Sequence, residues 1–264
     1  MSILTFNNTA ESNCWQKHSQ PHRGAALSVF SLQGKNDSLE AMALKFERVG
    51  LAPDYVDYSS ALELQQATHQ KVAAKQQQNT VLVLEHQAVI TAGKRTESHE
   101  YPSDQSTPVI KIDRGGKLTW HGPGQLVGYP IVRLPEPIDV VKFVRDLEEI
   151  LINLLTEMGI TCQRIEGRSG VWVPGDGALV QDKKIAAIGL RVSKNTTMHG
   201  FSINCNNPVD VFEPFIPCGI TDAGVTTISE QLGRNVNPAD IVDALEAHML
   251  RYTDTLAENF TPEP

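Results

Sequence analysis

Strand-like segments outnumber helices in the middle of this chain, and their order limits the folds that it can adopt. Several short apolar runs lie between residues 81 and 134, ahead of a strongly amphipathic helix that begins after Asp139 and stops at Gly159. More strand-like segments follow before a final helix, which Asn237-Pro238 opens. Because a regular βαβ array would alternate strands with helices, this order predicts an α+β domain with a mixed central β-sheet and flanking helices.

Local signals refine this prediction. Asp57 is a good N-cap for a first helix. Pro130, inside the apolar run 125–134, predicts a sheet edge or a bulge because proline cannot donate a ladder hydrogen bond. The alternating segments 184–193 and 198–206 are expected to pair as neighbouring strands.

The first 45 residues differ in composition from the rest of the chain. They are rich in Ser, Asn, Gln and His and show weak periodicity, which is typical of a poorly ordered extension. One short helix is expected around Ser38–Arg48. The sequence therefore predicts an extension over 1–45, a single domain over 46–256 and a frayed tail over 257–264.

Charge and composition exclude several classes of function. The net charge of −8 disfavours a nucleic-acid-binding protein, and no apolar run is long enough to span a membrane. The N-terminal stretch lacks the charged and apolar regions of a secretory signal, and the four cysteines contain no C-x-x-C pair. These features predict a cytoplasmic protein with reduced thiols and no metal.

A glycine-rich segment lies between two predicted strands. It runs from Arg114 to Gln125 and holds four glycines and a proline, so backbone amides there can approach a ligand closely. The segment lacks the Walker phosphate-loop pattern. It is either a long hairpin loop or part of a binding site.

The lysine pair Lys183-Lys184 opens an apolar strand of small residues. Lysines commonly mark the solvated edge of a strand, and that interpretation has most of the prior weight. The alternative is that one lysine enters a partly desolvated pocket, where it could exchange protons near neutral pH.

Cys218 lies between Pro217 and Gly219, a sequence typical of a turn. A turn can expose a thiol, whereas inert cysteines usually sit within apolar runs, as Cys205 does beside Ile203. Most single cysteines are inert, but this context favours Cys218 as a nucleophile and leaves the other three as structural residues. His121 and His199 each precede a glycine, which is suggestive of a shaped site.

Four segments together resemble the lipoyl(octanoyl) transferase family. They are EHQAVITAGKRT (85–96), RGGKLTWHGPGQLVGYP (114–130), KIAAIGLRVS with MHGFSIN (184–204) and FIPCGI (215–220). Each segment alone is weak evidence, but all four occur in the family's order, and the resemblance extends from about residue 46 to 250. It implies the fold of the lipoate ligase and biotin protein ligase catalytic domain.

The resemblance also implies the activity and its residues. The expected reaction moves an octanoyl group from octanoyl-acyl carrier protein to a lysine of an apo-lipoyl domain, through an octanoyl-cysteine intermediate. Cys218 would be the nucleophile and Lys184 the general acid and base that favours the thiolate, with Lys183 as second choice. The implied substrate-binding residues are Arg114, Gly115, Gly116, Lys117, Leu118, Thr119, Trp120, His121, Ala187, Ile188, Gly189, Gly200, Phe201 and Ser202.

The implied acceptors are the lipoyl domains of 2-oxoacid dehydrogenase complexes or the glycine cleavage H protein, and no cofactor is expected because the thioester is already activated. Basic residues near the site could form a rim for acidic partners or could be scattered surface charges. They are Lys111, Arg114, Lys117, Lys183, Arg191 and Lys194. Three alternatives remain: an ATP-using ligase of the same fold, a cysteine hydrolase that uses Cys218 with His199 or His121, and a non-catalytic acyl-binding module.

Overall fold

A computed structural model describes residues 44–103, 106–177, 180–213 and 223–259 of the chain. Within these ranges the strands are β1 (Lys45–Gly50), β2 (Thr80–Leu84), β3 (Val89–Ala92), β4 (Val109–Lys111), β5 (Leu118–His121), β6 (Gln125–Ile131), β7 (Gln163–Ile165), β8 (Arg168–Val173), β9 (Lys183–Ser193), β10 (Thr196–Asn204) and β11 (Gly224–Val225). The helices are α1 (Tyr58–Ala73), α2 (Val140–Glu157), α3 (Ile228–Leu232), α4 (Val242–Leu250) and α5 (Thr253–Leu256). Among these described residues, no helix combines the length and the apolar character needed to cross a bilayer.

The main sheet is mixed, as the strand order predicted. Its strands lie in the order β1-β2-β6-β10-β9-β8-β7, with β11 beside β9. The β1–β2 and β9–β11 pairs are parallel and the other pairs are antiparallel. The predicted pairing of β9 with β10 is confirmed, with Gly200 opposite Gly189. A second sheet has the order β4-β3-β5 and brings the glycine-rich segment against the first.

Helices cover both faces of the main sheet, and β2 shows why. Val81 and Val83 of this strand belong to the apolar cluster that includes α2 and α4, whereas Leu82 and Leu84 belong to the cluster that includes α1. Since successive side chains of a strand point to opposite faces, a strand between two helical layers is apolar at every position.

The helix ends agree with the predicted signals. Asp57 and Asp139 each accept a hydrogen bond from the backbone of the first turn, at Ser60 and Lys142. The predicted final helix is interrupted, because a 3₁₀ turn at Pro238–Asp240 precedes α4 and α5 follows separately.

A buried carboxylate joins α2 to β8. Glu148 has no exposed surface, and its Oε2 accepts hydrogen bonds from Arg145 (2.6 Å) and Arg164 (3.1 Å). Its Oε1 accepts a third from the backbone N–H of Gly170 (3.0 Å). Because the Glu148 carboxylate is paired with both arginines and with the backbone of Gly170, it fixes the start of β8 relative to α2.

Of the two alternatives predicted for Pro130, a sheet edge or a bulge, the edge is wrong, because β6 lies between β2 and β10. The ladder between β6 and β10 stops at the pair Gly128–Phe201, so no ladder hydrogen bond is required from residue 130. Beyond that pair His199 has a left-handed backbone (φ 58°), and its N–H donates to the Gln65 side chain. The departure of β10 from the ladder therefore accommodates the proline.

The ends of the domain differ from the predicted boundaries by a few residues. The helix expected around Ser38–Arg48 is replaced by β1 from residue 45 onward, because pairing with the fully buried β2 overrides a weak helical preference. Leu44 already lies in the core. At the other end Ala257 is buried, and Glu258 pairs with Lys75 and Arg133, so these two residues of the predicted frayed tail are anchored.

Candidate active site

A cavity of about 240 Å³ lies between residues of the two sheets. Its wall combines apolar side chains with histidines, tyrosines and basic residues. Twelve of the fourteen predicted substrate-binding residues line it: Arg114, Gly115, Gly116, Lys117, Thr119, His121, Ala187, Ile188, Gly189, Gly200, Phe201 and Ser202. The predicted general acid and base, Lys184, lines it as well.

The other two predicted residues, Leu118 and Trp120, do not line the cavity. They pack in a separate apolar cluster with Ile90 and Phe212. Alternate side chains of β5 point to opposite sides, so Thr119 and His121 face the cavity while their neighbours face the small core of the second sheet. Their role is to hold β5 in place.

A β-bulge directs Lys184 toward the cavity. In the β8–β9 ladder Val171 pairs with Ala186 but Trp172 pairs with Lys184, which leaves Ile185 as the extra residue. Without it, strict alternation from Ala187 would put Ile185 on the cavity side. Instead Ile185 joins the core cluster, and Lys184 shares the cavity wall with Ala187.

The ammonium group of Lys184 lies over an aromatic ring. Its Nζ is 4.5 Å from the centroid of the Trp172 ring, a cation–π distance, and the residue is only 8% exposed. Lys183, the second choice for this role, is exposed and does not line the cavity. The structure therefore brings one lysine of the pair to the site and leaves the other in solvent.

Arg114 shapes the wall from within and does not form part of an exposed rim. The guanidinium is buried and donates to Gly115 O (2.8 Å) and to the carbonyl and hydroxyl oxygens of Thr91 (both 2.9 Å). A Cβ at Gly189 would lie 3.0 Å from Arg114 Cδ, and one at Gly93 would lie 2.8 Å from Nη1. Gly189 of β9 and Gly93, just after β3, thus make room for this side chain.

Two neutral histidines, one in the cavity wall and one next to it, contact each other: His121 lines the cavity and His86 packs against its ring. His86 Nδ1 lies 3.0 Å from Val56 O and its Nε2 lies 2.7 Å from the Tyr129 hydroxyl, while His121 Nδ1 lies 2.8 Å from the Gln125 side-chain oxygen. Burial lowers the pKa of His86 to about 4 and that of His121 to about 3. Burial also raises the pKa of Tyr129 well above its ordinary value. Near neutral pH these groups are uncharged.

An ion pair that was not predicted borders the cavity. Asp113 accepts a hydrogen bond from His199 Nε2 (2.9 Å) and pairs with Arg191. Burial alone would raise the pKa of Asp113, but the hydrogen bond with His199 and the charge of Arg191 outweigh it and hold the pKa below its ordinary value. Burial lowers the pKa of His199 in spite of the carboxylate. The only indication of this role in the sequence was that Asp113 directly precedes the glycine-rich segment.

A chain of side-chain amides links the cavity to the start of β9. Gln125 donates to Asn204 (2.9 Å), and Asn204 donates to the carbonyl of Thr226 (3.1 Å). The backbone N–H of Thr226 donates to the carbonyl of Lys184 (3.1 Å). These bonds fix the backbone of Lys184 relative to His121, the hydrogen-bond partner of Gln125.

The six basic residues expected near the site differ in their surroundings. Lys111, Lys183 and Lys194 are exposed. Lys117 pairs with Glu97 and Glu100, Arg191 pairs with Asp113, and Arg114 is buried. A rim of six exposed charges is therefore not present, and three of the predicted members stabilise the local structure.

The predicted nucleophile, Cys218, lies outside the described residues. Two other cysteines can be assessed. Burial raises the pKa of the Cys205 and Cys162 thiols, and a thiol with a raised pKa is a poor nucleophile near neutral pH.

Solved structures similar to this chain place its fold among the lipoate ligases. The lipoate complex of LipL1 from P. falciparum has a TM-score of 0.60 at 13% identity, over 83% of this chain and 65% of that one. At this identity the likeness concerns the fold alone, and it confirms the predicted architecture.

Sequence comparison is more specific. The family model described as "Lipoyl protein ligase A/B catalytic domain" matches residues 57–250. An "Octanoyltransferase" of Clavibacter sepedonicus is 57% identical over 76% of this chain and 88% of its own length. Another "Octanoyltransferase", from Leifsonia xyli subsp. xyli, is 55% identical over 79% of this chain and 94% of its own. The chain belongs to the lipoyl protein ligase A/B catalytic domain family, and the resemblance identified from its motifs is confirmed.

Proposed function

We propose that this chain transfers an octanoyl group from octanoyl-acyl carrier protein to a lysine of an apo-lipoyl domain, through an octanoyl thioester on Cys218. Octanoyl transfer in protein lipoylation follows from family membership and from relatives of that activity at 57% and 55% identity. The observation that carries the catalytic assignment is the placement of Lys184, buried at the wall of a partly apolar cavity.

The cavity suits an acyl chain. Ile112, Ala187, Ile188 and Phe201 contribute to its wall. Each buried methylene contributes about 0.8 kcal/mol, so several carbons of a chain would supply several kcal/mol of binding free energy. A wall of fixed length would also select among chain lengths.

The first half-reaction acylates the enzyme. A free cysteine has a pKa of about 8.5, so only a small fraction is thiolate at neutral pH, and a nearby Lys184 ammonium favours the thiolate. The Cys218 thiolate attacks the thioester carbon, a new S–C bond forms, and the carrier's S–C bond breaks. Lys184 gives its proton to the departing carrier thiolate.

The second half-reaction transfers the acyl group. Neutral Lys184 takes a proton from the ammonium of the acceptor lysine, and the free amine attacks the octanoyl-cysteine carbon. The amide bond forms as the S–C bond to Cys218 breaks, and the second proton that the attacking nitrogen loses is released to solvent. The Cys218 thiolate and the Lys184 ammonium are thereby regenerated. The thioester supplies the activation, so the reaction needs no ATP.

Membership in the family implies an acyl donor and a lipoyl-domain acceptor in general terms. We assign the lipoyl domains of 2-oxoacid dehydrogenase complexes or the glycine cleavage H protein as acceptors, and the cytoplasm as the compartment. The choice of compartment rests on the proposed donor, an acyl carrier protein.

Intact-mass measurement tests the proposal directly. Incubation with octanoyl carrier protein alone should add about 126 Da, the octanoyl increment on a thiol. Cys218→Ser should abolish the hydroxylamine-labile adduct, and Lys184→Ala should slow its formation, whereas the exposed neighbour provides a matched control in Lys183→Ala. An adduct that survives on the Cys218→Ala variant would reassign the nucleophile. Octanoylation that requires ATP would support a ligase instead.

A further inference from the structure

A small recess adjoins the cavity at Lys184. Its volume is about 20 Å³, and Thr119, Ala187 and Ser202 line both spaces together with Lys184. A site needs roughly 10–15 Å³ to hold one water molecule, so the recess accepts one small polar group and no side chain.

Two hydroxyl groups at this recess have no protein partner. Thr119 is 8% and Ser202 is 3% exposed, and within the described ranges neither hydroxyl makes a hydrogen bond. The amides of Gln125 and Asn204, which also line the recess, are bonded to each other. Since Thr119 and Ser202 line both spaces, their unpaired hydroxyls are available to donate to an oxygen or nitrogen atom of a ligand.

The two donors come from different sheets. Thr119 belongs to β5 of the small sheet and Ser202 to β10 of the main sheet, where Ala187 is its ladder partner. A carbonyl oxygen has two lone pairs and can accept from both hydroxyls at once. The terminal methyl group of an acyl chain would leave both donors unsatisfied, so the recess favours the carbonyl end of the chain.

We propose that the Thr119 and Ser202 hydroxyls bind the carbonyl oxygen of the acyl thioester beside Lys184. This inference rests on the proposed octanoyl transfer. When a thiolate or an amine attacks the carbonyl carbon, negative charge develops on that oxygen, and fixed donors stabilise it more than they stabilise the neutral carbonyl. The recess would thus act in both half-reactions, while the chain extends into the larger cavity.

Infrared spectroscopy of the acyl-enzyme, once it has formed, reports this hydrogen bonding separately from the rate at which the adduct forms. The wild type is acylated with octanoyl carrier protein carrying ¹³C at the carbonyl, and the isotope-edited carbonyl band is recorded. Loss of a donor in Thr119→Val or Ser202→Ala should move the band to higher frequency, and Thr119→Ser should restore it. Removal of one such donor is expected to lower the rate constant of acylation by roughly 10²-fold with little change in KM.

The control is Ser169→Ala. Ser169 borders the same cavity, but its hydroxyl already donates to Ile188 O (3.4 Å), so the carbonyl band should not move. If the wild type forms the adduct and both Thr119→Val and Ser202→Ala keep its band position and acylation rate, the inference is overturned while the proposed function stands. If the folded wild type forms no adduct, the proposed function fails and the inference fails with it.

Discussion

The buried histidine pair should make this protein sensitive to mild acid. His86 and His121 lie 5.8 Å apart between ring centroids, and burial holds the pKa of His86 at about 4 and that of His121 at about 3, against an ordinary value of 6.5. Between pH 6.5 and about 4 the unfolded chain therefore binds protons that the folded chain does not. The stability from these groups is present above pH 6.5 and is lost as the pH falls.

The size of the effect follows from linkage. Each histidine that stays neutral in the folded state lowers the free energy of unfolding by about 1.4 kcal/mol for every pH unit below its pKa in the unfolded chain. Lowering the pH from 7 to 5 should thus remove about 2 kcal/mol for each ring and about 4 kcal/mol for the pair. Against a typical unfolding free energy of roughly 5–15 kcal/mol, this loss is large.

Urea denaturation at several pH values measures the slope. We expect His86→Gln and His121→Gln each to flatten the dependence of the unfolding free energy on pH by about one proton between pH 5 and 6.5. The comparison uses slopes because each substitution also changes the stability at pH 7. His99, whose side chain is 72% exposed, provides the control in His99→Gln, which should keep the wild-type slope.

One result would refute the reasoning. If the wild type and both variants show the same slope between pH 5 and 6.5, the two rings take up protons equally in the folded and unfolded chains. Burial would then not hold the two histidines in their neutral form.

Other substitutions test the scaffold by urea denaturation. Arg114→Lys keeps the charge, but a lysine cannot reach all three acceptors, so we expect the unfolding free energy to fall by about 2–4 kcal/mol. The control is Arg95→Lys at an exposed position, which should change the unfolding free energy by less than about 0.5 kcal/mol. Equal urea midpoints for the two variants would contradict this expectation. Glu148→Gln removes the carboxylate that pairs with Arg145 and one of the two that pair with Arg164, and it should lower the unfolding free energy by about 3–5 kcal/mol. An unchanged urea midpoint would contradict this. A Cβ in Gly200→Ala would lie 2.1 Å from Gly128 O, so β6 and β10 must separate at a cost of about 1–3 kcal/mol or more, and a folded variant with unchanged acylation would exclude this clash.

Much of the fold could be predicted because its signals are local. The amphipathic period of α2 and the cap at Asp139 lie within one stretch of chain, and so does the alternation of β9 and β10. β1 and β11 could not be predicted in this way, since their hydrogen bonds are made to distant partners, β2 and β9. The edge predicted as one alternative for Pro130 was wrong for the same reason, because the divergence of β10 at His199 is a property of another strand.

The cavity residues also differ in whether their signals are local or depend on distant parts of the chain. The glycine-rich segment and the Lys183-Lys184 pair could be found from their composition, but the choice between the lysines depends on the bulge at Ile185. Asp113 was missed because its hydrogen bond with His199 and its ion pair with Arg191 join residues that lie 86 and 78 positions away along the chain.

By itself the sequence determined the fold class, the family and the residue types available for acyl transfer, since these depend on periodicity and on motifs written in short segments. Only the tertiary structure decided which side chains meet. It turned Lys184 toward the cavity, placed Leu118 and Trp120 behind the wall, buried Arg114 as an internal support and left the hydroxyls of Thr119 and Ser202 open at the recess. The physical reason is that orientation and burial come from the register and packing between strands distant in sequence, which no local pattern records.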